Sequence, residues 1–169
     1  MKKLLLLFLL SPIALLSQVC FTETNTINAD SIQYCITDAS CHSSCDGEIT
    51  ITVFGPNQPY YFEWGSSTPI ANDNQRNNLC AGNYSVTITD NNGNLVDFQS
   101  NLIEEPSELG IFRTITDPSC FNYIDGDIDI TTLGDSPFSW SWDNGFNTED
   151  LPNLISGQYI LTTTDSNNC

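Results

Sequence analysis

The chain has 169 residues, with 21 Asp and Glu against four Lys and Arg, one His and seven Cys, and a formal net charge of −17. So acidic a surface repels phosphate backbones, which excludes nucleic acid as a natural partner. The length fits one ordinary domain or two small ones.

Residues 1–18 carry Lys2 and Lys3, an apolar run over 4–10 and a polar exit near Ser17. This pattern predicts a secretory signal peptide, too short and wrongly flanked for a membrane span. A lipid anchor at Cys20 needs a small residue just before it, and Val19 is not one. No second apolar stretch predicts a membrane span. After Lys3 the only cations other than His42 are Arg76 and Arg113. Seven cysteines in an exported chain predict disulfides rather than thiol chemistry. Residues 19–32 form an N-terminal segment ahead of the first patterned unit.

Residues 33–109 and 110–169 read as two copies of one unit. "ITDASCHSSCDGEITITVFG" (36–55) aligns without a gap on "ITDPSCFNYIDGDIDITTLG" (115–134). "PYYFEW" (59–64) matches "PFSWSW" (137–142), and "NLCAGNYSVTITDNNGN" (78–94) matches "NLISGQYILTTTDSNNC" (153–169). In the first copy Ile49, Ile51 and Val53 alternate with polar residues, which predicts a half-buried strand. Tyr60, Phe62 and Trp64 share one face of the next strand, with Tyr61 on the opposite face. Tyr84, Val86 and Ile88 share a face of a third, and residues 95–103 give another. Asn92-Gly93 and Asn144-Gly145 are turn dipeptides. "EEPSEL" (104–109) is a short acidic linker. The expected fold is all-β: tandem small immunoglobulin-like antiparallel β-sandwich repeats, stapled by disulfides. The second repeat lacks a counterpart of 95–103 and is expected to be incomplete, a fragment of a longer protein with an unpaired edge.

The copies also discriminate among readings of the cysteines. "CHSSCD" crowds Cys41, His42, Cys45 and Asp46 together, and with Cys80 it offers zinc-binding atoms. In the second copy His42 becomes Phe121, while Cys45 and Cys80 both become isoleucine, at Ile124 and Ile155. A joint swap of two cysteines for two apolar residues predicts a buried Cys45–Cys80 disulfide rather than a metal or catalytic centre. Cys120 and Cys169 stand first and last in the second copy and are expected to bond to each other. Cys20, Cys35 and Cys41 are left unassigned, since three cysteines do not all pair within one chain.

Asp125, Asp127 and Asp129 share one side of a predicted strand and are weak calcium candidates, because a straight strand wraps a cation poorly. Trp64 matches Trp142 and Phe62 matches Trp140, so the aromatics kept at these strand positions read as core rather than as a sugar-stacking platform. With one histidine, absent from the second copy, and no nucleophile-elbow or phosphate-loop motif, neither an enzyme nor a cofactor is expected.

Taken together, "SCHSSCDGEITITV", "PYYFEW", "NLCAGNYSVTITDNNG" and "IEEPSEL" resemble the SprB-type repeat, known from large cell-surface adhesins of gliding bacteria and other proteins exported by the type IX secretion system. The first copy departs from the pattern at Asn94, where the family has cysteine, and the second at Ile155-Ser156-Gly157. The resemblance covers about residues 33–169. It implies immunoglobulin-like sandwiches, a non-catalytic adhesive or structural role on the cell surface, and further repeats of the same protein as neighbours. A surface glycan or protein is the kind of ligand it implies. It also implies that Ser31, in Asp30-Ser31-Ile32, matches a short O-glycan acceptor motif of such bacteria. The alternative is a sugar- or calcium-binding accessory module on a secreted enzyme.

Overall fold

The computed structural model describes residues 18–24 and 30–169. Residues 1–17 of the expected signal peptide lie outside the described residues. Thirteen strands follow in chain order: β1 (Val19–Thr24), β2 (Ser31–Thr37), β3 (Gly47–Phe54), β4 (Tyr61–Trp64), β5 (Ile70–Ala71), β6 (Gln75–Leu79), β7 (Gly82–Thr89), β8 (Leu95–Ile103), β9 (Gly110–Thr116), β10 (Gly126–Leu133), β11 (Ser139–Trp142), β12 (Leu151–Leu154) and β13 (Leu161–Thr164). No helix occurs among the described residues, so none is long and apolar enough to cross a membrane. All strand pairs are antiparallel.

The first unit is built from two four-stranded sheets, ordered β1-β2-β3-β6 and β5-β4-β7-β8. Period-two patterning decides what lies between them, because alternate side chains point to one face. Ile32, Tyr34, Ile49 and Ile51 from the first sheet meet Phe62, Trp64, Val86, Ile88 and Ile103 from the second in a single buried cluster. The described part of the N-terminal segment, residues 19–24 and 30–32, pairs with this unit. β1 forms the sheet edge, and Asp30 and Ile32 are buried. Cys20 faces Cys35 across the β1–β2 pair and is bonded to it.

The second unit repeats part of this plan. β9 and β10 correspond to β2 and β3, β12 to β6, and β11 and β13 to β4 and β7. The sheets are ordered β12-β10-β9 and β11-β13. Equivalent turns adopt equivalent backbones: Ser43 and Asn122 have φ of 59° and 64°, and Asn78 and Asn153 have 56° and 60°. The core is much smaller. Thirteen buried residues form the first cluster, but only Ile130, Trp142 and Leu151 are fully buried in the second, so the second unit has far less apolar burial to oppose chain entropy.

The pivotal aromatics hold matching places. Trp64 Nε1 donates to the Asp73 carbonyl at 2.8 Å and Trp142 Nε1 to the Thr148 carbonyl at 2.9 Å. In the first unit the Arg76 guanidinium lies 4.8 Å from the Trp64 ring and is held by both Asp73 oxygens at 2.7 and 2.6 Å. In the second unit buried Leu151 takes the Arg76 position, so an aliphatic residue replaces a cation–aromatic stack. Trp140 does not join the core as expected. It is half-buried and its Nε1 donates to Thr132 Oγ1 at 3.0 Å.

One buried carboxylate controls the far end of the first unit. Tyr60 donates its hydroxyl to Asp30 Oδ1 at 2.9 Å, and burial followed by this bond raises the Tyr60 pKa. A Cβ on Gly55 would collide with Asp30 Oδ1 and the Tyr60 hydroxyl. Gly55→Ala is therefore expected to destabilise the first unit by about 2 kcal/mol or more. Tyr60→Phe, which strands the Asp30 carboxylate, is expected to cost about 1–3 kcal/mol. Urea unfolding followed by tryptophan fluorescence checks both, and losses below about 0.5 kcal/mol would refute the packing described.

Candidate functional site

The crowded "CHSSCD" stretch is the loop between β2 and β3, and its hydrogen bonds show what it is built for. Asp46 Oδ1 accepts from the Ser40 amide at 2.9 Å and from Ser44 Oγ at 2.7 Å, and Asp46 Oδ2 accepts from Ser40 Oγ at 2.5 Å. The Cys41 amide donates to Ser44 Oγ at 3.0 Å, and the Ser44 amide donates back to the Cys41 carbonyl at 3.0 Å. These donors, the Ser40 hydroxyl foremost, hold the Asp46 carboxyl down to about 2. The second copy keeps this frame. Asp125 Oδ1 accepts from the Ser119 amide at 2.9 Å, and the Tyr123 amide donates to the Cys120 carbonyl at 3.0 Å. Asp125 is likewise shifted down, by its bonds to Ser119.

The sulfur atoms of this loop are not available to a metal. Cys45 is bonded to Cys80, with Cα atoms 3.8 Å apart. The bond is exposed rather than buried, and its replacements Ile124 and Ile155 are exposed too, so burial is not what the cysteine-to-isoleucine swap reflects. His42 Nδ1 lies 3.2 Å from Glu105 Oε1, and Glu105 Oε2 accepts from the Ser43 amide at 2.8 Å. The acidic linker is thereby clamped to the loop. The Glu104 amide also donates to Asp38 Oδ1, and the Ala39 amide to the Glu104 carbonyl.

The expected Cys120–Cys169 bond is not formed. Cys169 is bonded to Cys41 across a sequence separation of 128, and Cys120 is an exposed free thiol. Cys169 closes a turn around Asp165, whose Oδ1 accepts from the Asn167 amide at 2.8 Å and the Cys169 amide at 3.0 Å. Asp90 receives Asn92 and Asn94 in the same way. The turn thus delivers Cys169 to the first unit's loop. Asp135 adds a second tie, accepting from the Ser107 amide at 3.0 Å through Oδ2 and from the Ser166 amide at 3.0 Å through its carbonyl. In the chain-entropy model a loop of this length confers about 5 kcal/mol.

The calcium candidates do not act as one group. Asp125 precedes β10 and is engaged by Ser119, while Asp127 and Asp129 lie on the strand, paired with Thr116 and Thr114 of β9. Among the described residues no three His, Cys, Asp or Glu side chains gather as a metal-holding group. Ser31 opens β2, half-buried between Thr24 and Phe54 of the neighbouring strands, and Tyr61 is half-buried on β4.

A cleft that sequence reasoning did not anticipate lies between the two sheets of the second unit. Its volume is about 730 Å³, and Ile111, Arg113, Ile115, Gly126, Trp142 and Leu161 are among the residues that line it. The expected absence of a counterpart to residues 95–103 was its only signal. Neither a scan against models of known protein families nor a search of curated proteins returns a match.

Three disulfides fit an oxidising environment. Non-reducing peptide mapping is expected to recover Cys41 with Cys169, and a maleimide is expected to label native protein at Cys120 alone. A Cys120–Cys169 peptide would contradict this pairing. The lowered Asp46 pKa carries its own prediction. A carboxyl depressed in the folded state contributes stability above its unfolded value near 3.8 and loses it as pH falls towards 2. Asp46→Asn is expected to be less stable than the parent chain at pH 7, with the gap closing between about pH 4 and pH 2. Chemical denaturation across that range checks it, and a gap independent of pH would refute it.

Proposed function

We propose that the chain is a non-catalytic extracellular repeat module of the SprB type, an adhesive or structural segment of a secreted or cell-surface protein. One observation carries this reading. Between two copies of the same unit, what persists is framework: the Asp46/Asp125 loop brace, the Trp64/Trp142 anchor and the Asp90/Asp165 turn. What changes is reactive, since His42, Cys45 and Cys80 become Phe121, Ile124 and Ile155. A catalytic or zinc-binding unit retains its reactive atoms, whereas a spacer or adhesive unit retains only its shape.

Disulfide bonds within and between units suit such a role, because they keep a small-cored chain folded outside the cell. The acidic surface adds solubility and discourages self-adhesion. Export by a signal peptide rests on the pattern of residues 1–18, and the type IX route and a part in surface motility rest on the sequence resemblance; all belong to the same proposal.

The reading is tested on intact cells of the producing organism. Antibodies raised against the folded chain are expected to label unpermeabilised cells or to detect the protein in the medium, and surface protease is expected to abolish the cell label. Calcium at about 1 mM, the range of weak extracellular sites, is expected to leave the thermal midpoint unchanged. A label confined to permeabilised cells would contradict the proposal. A saturable calcium-dependent rise in the midpoint would instead favour the accessory ligand-binding module.

A further inference from the structure

The three disulfides differ in where they stand along the chain. Cys20–Cys35 bridges a sequence separation of 15 and Cys41–Cys169 a separation of 128. These two loops do not overlap: the first closes at Cys35, the second opens at Cys41, and only residues 36–40 lie between them. Cys45–Cys80, with a separation of 35, lies wholly inside the larger loop. A covalent route therefore runs from Cys20 across its sulfur to Cys35, along the backbone to Cys41, and across its sulfur to Cys169. Strands β3 to β13 all belong to the loop that Cys41–Cys169 closes, so they hang beside this route rather than on it.

The route is short. Its bonded Cα atoms are 4.1 Å and 5.8 Å apart. The backbone from Cys35 to Cys41 reaches about 20 Å when fully extended. Cys20 and Cys169 are thus separated by about 30 Å along the taut route, whereas the same residues drawn out without the bonds span about 500 Å. Little slack remains in the stretch between the bonds. Cys35, Ile36 and Thr37 are already extended in β2, paired with Thr50, Ile49 and Glu48. The Ala39 amide donates to the Glu104 carbonyl at 3.0 Å, the Ser40 amide to Asp46 Oδ1 at 2.9 Å and the Cys41 amide to Ser44 Oγ at 3.0 Å.

We propose that residues 20–169 form a tension-bearing link, in which load runs through this covalent route and bypasses both cores. Load that enters at Cys20 and leaves at Cys169 is taken up by the shortest taut path. Neither core lengthens the chain by unfolding, because the strands that build it are held in closed loops. The second unit gains most. Its three fully buried residues oppose extension weakly by packing alone, yet the bond to Cys41 removes it from the line of force. The two copies divide their cysteines in the same way. Cys41, on the route, keeps a cysteine counterpart in Cys120, while Cys45 and Cys80, off the route, become Ile124 and Ile155. Tension of this kind rests on the structural reading proposed above, in which an anchored chain is pulled from outside the cell.

The test holds the full chain by its two ends in optical tweezers, with handles joined by enzymatic ligation so that no thiol is used. The oxidised parent is expected to show no stepwise lengthening up to the force at which the handles detach. A dithiol reductant added under load is expected to lengthen it in steps that total about 500 Å. The paired variant Cys41→Ser, Cys169→Ser is expected to release about 300 Å while oxidised, since Cys45–Cys80 still holds its own loop closed. The paired variant Cys45→Ser, Cys80→Ser, whose bond lies off the route, is expected to stay as short as the parent. Where a variant does not fold, the reductant arm decides, because it begins from the native parent chain. Steps of about 100 Å or more from the oxidised parent would overturn the proposal. So would equal lengthening of the two paired variants. Either result leaves the surface labelling of intact cells standing, and loss of that labelling leaves the force measurement standing, so the two failures are told apart.

Discussion

The contact between Ile103 and Gly47 closes the first unit. A two-sheet sandwich is stable only if each inner face is covered, and β8 is the strand that covers β2 and β3. The absence of a side chain at Gly47 lets Ile103 seat fully, and burying such a side chain is worth about 1.5–3 kcal/mol. The buried state of Ile32 and Tyr34, and the continuity of the thirteen-residue core, depend on that cover. The second unit has the same glycine, the same turn and the same floor, with no strand over them among the described residues. Its buried core of three residues and its cleft are two descriptions of one missing contact.

With so uneven a distribution of core, covalent bonds take on part of the work of packing. Cys20–Cys35 fastens the edge strand β1, Cys45–Cys80 ties the β2–β3 loop to the end of β6, and Cys41–Cys169 anchors the weak unit to the strong one. The linker is not a free tether. Glu105 grips His42 and Ser43, and Ser107 reaches Asp135, so the passage from β8 to β9 is held on both sides. Much of this junction uses Asp and Glu as hydrogen-bond acceptors for backbone amides. The acidity of the chain is thus partly structural as well as a property of its surface.

The all-β class and the inward residues of β3, β4 and β7 were legible because alternation has a period of two and core positions obey it strictly. Ile49, Ile51, Phe62, Val86 and Ile88 are all buried. β1, β2 and β9 were not legible, since "VCFTET", "SIQYCIT" and "GIFRTIT" alternate weakly. Their place is fixed by partners far along the chain. The cysteines show the same division. Local comparison of the copies brought Cys45 and Cys80 together, but it misjudged the environment of their bond. Cys169 pairs according to how two units meet, a long-range property that spacing within one unit does not contain. The cleft was foreshadowed only as a missing strand; its volume and the open position of Arg113 emerge from the sheets around it.

Amide hydrogen exchange on the native chain measures the asymmetry between the units directly. Residues of β7 over Tyr84–Thr89 lie between two strands, whereas β13 over Leu161–Thr164 has one partner among the described strands. Slow exchange along both edges of β7, with exchange near solvent rates for the β13 amides that point away from β11, is the predicted result. Equal protection of β7 and β13 would mean that the second unit's inner face is already covered, and would contradict the account.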